Sequence, residues 1–270
     1  MTEAGERLAV FRERRNLAAI QPQGPLALVN TQWVDMAQTI WGVPGTWAPA
    51  PAGTQGLTLT AHGADGIVVD GVEVDGTADV LSKSSDHPSE VTFSDTQKGH
   101  VIAQGDSFAL RVWDSNSEGI QAFGEIDAFD YAPEWVITGE WKEIPGGKSV
   151  GFEHLKEEGV SRDEVIPGEI TFTHEGIEYS LAAFKAGTAL QLVFADATND
   201  VSTYSVGRFL FLAPNPNGTI TLDFNYAVLP PCAFSYAFNC PLPPAQNRFP
   251  FAIEAGEKNV VKKDGSLLHG

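Results

Sequence analysis

Between residues 230 and 250 the chain carries six prolines, and no helix or regular strand runs through such a segment. Each proline fixes its own φ, removes a backbone donor and restricts the residue before it. Pro230, Pro231, Pro241, Pro243, Pro244 and Pro250 therefore specify a stiff coil without hydrophobic periodicity. Loops of this length are uncommon in compact domains and are often functional. The segment feeding the coil, TITLDFN at residues 219–225, has the period of a strand. Ile220, Leu222 and Phe224 fall on a core face; Thr219, Thr221, Asp223 and Asn225 fall on the other. That second face is either solvated or the polar wall of a pocket. The coil would hold Asn247 and Arg248 nearby, and the Arg248 fork suits a carboxylate or phosphate, or a plain ion pair with Asp223.

Upstream, two further apolar faces end in an acid. Phe108, Leu110 and Val112 lead to Asp114, with Arg111 on the opposite face; Leu190, Leu192 and Phe194 lead to Asp196. An acid at a core edge is pushed towards its neutral form unless a partner holds it charged. Arg208 opens the next apolar strand, residues 207–213. Turn residues punctuate these runs: Asp70-Gly71 and Asp75-Gly76 around VEV, Glu175-Gly176 within a hairpin over residues 169–184, and PNPNG at 214–218. Helical spacing occurs over residues 3–20, through Leu8, Phe11 and Ala18, and Pro22, Gly24 and Pro25 stop it. The arginines of that helix read as a solvated face. No internal repeat is visible. These signals specify an all-β fold, a sandwich or barrel of many short strands with one N-terminal helix. Residues 1–262 read as a single domain, with a possible subdivision near residue 129, and 263–270 as a polar tail, fraying from about residue 258.

The blocks GRFLF (207–211), LDFN (222–225), PPCAF (230–234), CPLPP (240–244), NR (247–248) and AGEK (255–258), in this order, resemble an uncharacterised bacterial family, domain of unknown function 1684. The likeness extends upstream through FADATND (194–200) and RVWDS (111–115). The resemblance implies relatives but no established activity. Members of that family tend to carry a basic, polar segment after the RVWDS-like block, whereas residues 118–129 here are acidic, which removes an anion site there.

Seventeen basic and 35 acidic residues give a net charge of −18, which repels phosphate backbones and anionic lipid surfaces. Nucleic acid and membrane are therefore not expected partners. The charged N-terminus lacks the apolar core of a signal peptide, so cytoplasmic residence is the default expectation. Cys232 and Cys240 admit three readings: free thiols, as a reducing cytoplasm favours, a small disulfide loop, or two ligands of a metal site. No cofactor is expected: the GGKS at 146–149 lacks the first glycine of a phosphate loop, and no dinucleotide fingerprint occurs. The G-x-S-x-G elbow, H-E-x-x-H and C-x-x-C are also absent.

What remains is carboxylate, amide and guanidinium chemistry. One reading is a small polar or anionic ligand bound by Arg111, Arg208, Asn225, Asn247 and Arg248 near Asp114, Asp196 and Asp223. A second is a hydrolase in which Asp223 and Asp196 have separated pKa values. A weaker third is a phosphopeptide-binding module in the N-terminal half, faintly similar to forkhead-associated domains but without their glycine-arginine and serine-histidine pairs.

Overall fold

The structure, a computed structural model, describes residues 2–269, apart from the side chain of Glu158. The chain divides into two compact units: residues 17–122, and residues 1–16 together with 123–270.

Residues 17–122 form a β-sandwich. One sheet orders β1 (Leu28–Trp33), β10 (Ser107–Asp114), β9 (Gln97–Gln104), β8 (Val91–Thr92), β5 (Val68–Val69) and β6 (Val72–Glu73). The other orders β2 (Gln38–Thr39), β3 (Thr46–Pro49), β4 (Gly56–Ala61) and β7 (Gly76–Leu81). Inward residues of both sheets, among them Trp47, Leu57, Leu59, Val101, Leu110 and Val112, share one apolar cluster. Asp70 and Gly71, at φ 52° and 83°, turn β5 into β6 as the Asp-Gly signal requires. Asp75-Gly76 turns the chain too, but β7 pairs with β4 in the other sheet and makes no hairpin with β6.

The second unit is built on a six-stranded sheet ordered β16 (Arg208–Leu212), β15 (Ala189–Phe194), β14 (Ile177–Ala186), β13 (Glu157–His174), β12 (Val136–His154) and β17 (Thr219–Asp223). An antiparallel bridge from Pro214 to Ile220 brings the two outer strands together, so the sheet curls into a near-barrel. Its interior is a single cluster that includes Leu181, Leu192, Phe194, Leu210, Leu222 and Phe224. All but Phe224, which lies in the turn after β17, are inward residues of strands whose side chains alternate between two faces. Residues 144–147 bulge out of β12, with Gly146 and Gly147 at φ 81° and 74°. The GGKS segment is thus a strand irregularity, and no helix follows it.

A two-stranded sheet pairs β11 (Phe123–Ala128) with β18 (Glu257–Lys262). The expected fraying from residue 258 is corrected here. Val260 is buried, the Lys262 N–H bonds Ser266 O at 2.8 Å, and the Leu268 N–H bonds Val260 O at 2.9 Å. Helix α1 (Glu3–Ala19) starts with Glu3 and Glu6 in its first turn, where they favour the positive helix end. Two of its arginines depart from the expected solvated face: Arg15 grips the buried Glu257 through Nε and Nη2 at 2.7 and 2.9 Å, and Arg12 donates to Phe129 O. A short helix α2 (Glu118–Ala122) ends the sandwich unit. No helix among the described residues is long and apolar enough to cross a membrane.

Candidate functional site

The strands β15 and β16 are joined by residues 195–207, and this connection is held at its base by an ion pair. Asp196 and Arg208, both fully buried in their side chains, meet at 2.6 Å through Oδ2 and Nη2. Burial lowers the Arg208 pKa, and Asp196 opposes that shift. A buried pair is costly unless its remaining hydrogen-bonding positions are filled, and among the described residues all but Arg208 Nε are filled here. Asp196 Oδ1 accepts from the Thr198 N–H and hydroxyl at 2.8 and 2.6 Å and from the Ile253 N–H at 3.2 Å. Arg208 donates to the carbonyls of Ile253, Ala255 and Glu257. Three segments distant in sequence are thereby fixed together.

Above this anchor the connection folds tightly. The N–H groups of Val201, Ser202 and Thr203 all point to Thr198 O, at 3.1, 2.9 and 3.0 Å. Thr198 and Thr203 hydroxyls share a bond of 2.9 Å, and Asn199 Nδ2 donates to Tyr204 O at 2.7 Å. Asp200 adopts φ 61°, a left-handed conformation that costs less for Asp than for most residues.

The turn forms one wall of a groove of about 460 Å³. Tyr204, Ser205 and Val206 face it, Tyr236 and His269 close another side with ring centroids 4.0 Å apart, and Asn259 contributes an amide. Asn259 Nδ2 ties back to Ser202 O at 3.0 Å. The Tyr204 hydroxyl donates to Cys232 O at 3.2 Å, and burial raises the phenol pKa, so it stays protonated. His269 Nε2 is buried without a hydrogen-bond partner among the described residues. Burial, and then Lys262, lower its pKa and favour the neutral ring. Among the described residues, the lining carries one carboxylate, Asp200, and no lysine or arginine.

The residues singled out from sequence are distributed differently. Asp196 and Arg208 come together, beneath the groove. Asp223 and Asn225 also come together, but the strand stops at Asp223, and Phe224–Tyr226 is a 3-10 turn. Asp223 Oδ1 accepts from the Asn225 backbone and side chain at 3.1 and 2.9 Å, and Asn225 clamps both polar backbone groups of Ala132. Asn247 is wholly buried and bridges two strands: its amide bonds the N–H and C=O of Ala182 in β14 and the C=O of Val193 in β15, at 2.8–3.0 Å. Arg248 is exposed, donates to Pro243 O at 3.1 Å, and borders a separate cavity of about 270 Å³ with Glu153 and Ser161. Arg111 and Asp114 lie on β10 of the sandwich unit, where Asp114 accepts from the Asn116 N–H at 2.8 Å and acts as a turn acid.

Family comparison adds to this geometry. The model of the family "Protein of unknown function (DUF1684)" matches residues 121–258. This chain belongs to that family. The matched span contains the Asp196–Arg208 anchor, Asn225, Asn247, Tyr204 and both cysteines, and ends before Asn259 and His269. The chain is also similar to a solution NMR structure of the uncharacterized protein from gene locus rrnAC0354 of Haloarcula marismortui. Identity is 30%, covering 51% of this chain and 77% of the other, with a TM-score of 0.42. No curated protein matches the chain.

Sequence reasoning missed the groove's own residues. Tyr236 and His269 stand in a loop and a tail without a motif, and of the groove residues only Asp200, the last of FADATND, lies in a block of family resemblance. Glu257 stood in view within AGEK, but nothing local announces that a helix arginine would bury it.

Proposed function

We propose that the protein binds a small polar ligand in the groove at Tyr204. The observation that carries this reading is the groove of about 460 Å³ lined by Tyr204, Tyr236, Asn259 and His269, whose turn wall is anchored by the buried Asp196–Arg208 pair. The groove's volume lies within the range of small-molecule sites, roughly 300–1,000 Å³, which characteristically join apolar walls to a few fixed polar groups. The His269 and Tyr236 rings, tilted by 41° with centroids 4.0 Å apart, offer aromatic surface to a small group. The single carboxylate in the lining favours a neutral or cationic ligand over an anionic one. In this reading Asp196 and Arg208 position the turn and do not touch the ligand. Every oxygen of Asp196 already has a partner, and Asp223 is engaged with Asn225, so no observation favours hydrolysis by these two acids.

A thermal-shift screen against a broad metabolite set, with mass analysis of each hit after incubation, tests the proposal. A stabilising compound should be recovered unchanged, and Tyr204→Ala or His269→Ala should weaken it at least about tenfold, the loss of one good interaction. Asp223→Asn should leave its affinity alone. Equal affinity in the groove variants, or conversion of the hit to product, overturns the reading.

A further inference from the structure

We propose that Cys232 and Cys240 form a redox-active dithiol site, which a small hydroperoxide oxidises to an intramolecular disulfide. Both cysteines are buried thiols outside any disulfide, at 0% and 4% exposure, and the Cys232 carbonyl is in contact with the Tyr204 hydroxyl. The Cys232 N–H donates to Cys240 Sγ at 3.2 Å, and the two thiols are hydrogen-bonded to each other. Their backbones are pinned independently. Cys232 sits in the 3-10 turn Pro231–Ala233 and its carbonyl accepts from Tyr204; the Cys240 carbonyl accepts from the Leu155 N–H at 2.9 Å. The sulfurs are thus held as partners by contacts that do not involve sulfur.

A purely structural cysteine is inert in an apolar setting, where burial raises its pKa. Val193, Phe209 and Val228 provide such a setting here. The Cys232 thiol is nonetheless lowered, first by the hydrogen bond with Cys240, then against burial by bonds with Tyr204 and the Ala233 backbone. Cys232 is accordingly the attacking sulfur and Cys240 the resolving one. The Cys232 thiolate attacks one oxygen of the hydroperoxide, the O–O bond breaks, and the departing alkoxide takes up a proton to give an alcohol. Cys232 is then a sulfenic acid. The Cys240 sulfur attacks it, the S–O bond breaks, and hydroxide leaves with the Cys240 proton as water. Two thiols lose two electrons to one hydroperoxide, and the products are one disulfide, one alcohol and one water. Residues 233–239 join the two cysteines, and Phe238 packs against them. Their tip is open, Tyr236 being 65% exposed, so local opening of this loop admits a small oxidant.

The test treats the folded full chain with equimolar hydrogen peroxide, the simplest member of the class, then removes the oxidant and alkylates. The wild type should lose both alkylatable thiols, fall in mass by two hydrogens as a monomer, and recover both with dithiothreitol. Cys240→Ser should stop at a sulfenic acid on Cys232 that dimedone traps, and Cys232→Ser should react at least about tenfold more slowly, as expected when the favoured thiolate is removed. Circular dichroism identifies a serine variant that fails to fold, and the wild-type result then decides. Two thiols still alkylatable after peroxide, a disulfide between chains, or direct passage to sulfinic acid overturns the proposal. None of these outcomes depends on a ligand in the groove.

Discussion

The sandwich and the near-barrel fill their interiors with different materials. Among the described residues, the buried polar side chains of the sandwich unit are three serines: Ser82, Ser89 and Ser117. The near-barrel unit buries Asp196, Arg208, Asn225, Asn247 and Glu257 as well as two threonines. The difference follows from the backbone each must satisfy. Short strands joined by tight turns bond their own N–H and C=O groups in ladders, so the sandwich core can be apolar. The coil after β17 has no ladder for most of its length, and unpaired buried backbone groups are costly. Arg208 and Glu257 supply missing partners to carbonyls at 253–257 and to the Leu229 N–H, while Asn225 and Asn247 tie the segment after β17 to the backbone of Ala132 and of Ala182 and Val193. The residues that sequence alone marked as ligand-binding are in large part those that hold irregular backbone in place.

Removing a member of the buried ion pair breaks the comparison most sharply. Asp196→Ala leaves Arg208 charged and unpaired in the interior and should cost about 3–5 kcal/mol in chemical unfolding. It should also abolish any groove ligand's effect, because the turn at residues 197–203 loses its base. A loss near zero would mean that the pair is not the anchor. Asn247→Ala comes next, at about 1–3 kcal/mol, the cost of leaving buried backbone groups of Ala182 and Val193 unsatisfied. Raised amide exchange confined to β14 and β15 would locate the damage; uniform exchange would count against this bridge.

The smallest effect belongs to the sandwich. His100 on β9 is held down to about 4 by burial, then by Lys83 and Arg111, against a value of 6.5 when unhindered. Between those two values the unfolded chain binds a proton that the folded chain refuses. The contribution is therefore fully present above pH 6.5 and is lost as pH falls towards 4. Unfolding midpoints across that window should decline less steeply in His100→Gln than in the wild type. Parallel slopes would show that His100 takes up its proton while folded.

Much of the fold was legible because its signals are local. Asp70-Gly71 and Glu175-Gly176 announce turns through the φ values they tolerate, and 49° at Glu175 and 80° at Gly176 bear that out. The alternation of Leu190, Leu192 and Phe194 named a core face, and the helix was set by spacing and stopped by Pro22. The far reach of β12 and β13 was not legible. Val160 and Val165 in the latter are 53% and 60% exposed, so no buried face imposes a clean alternation. β18 was hidden for a related reason: Glu257, Asn259 and Lys262 look like tail residues until Arg15 and β11 cover or pair with them.

Local sequence was enough for many of the strands, for the Asp-Gly and Glu-Gly turns, and for the stiff segment after residue 230, because backbone restriction and side-chain period act between neighbours. What the polar residues do is set by long-range packing. Alternation places Asp196 at the end of an apolar face, but whether it meets solvent, ligand or guanidinium depends on chain that returns from residues 253–257 to complete the site around Arg208. The groove is of the same kind: Tyr204, Tyr236 and His269 converge through long-range pairing, and no local preference encodes their meeting.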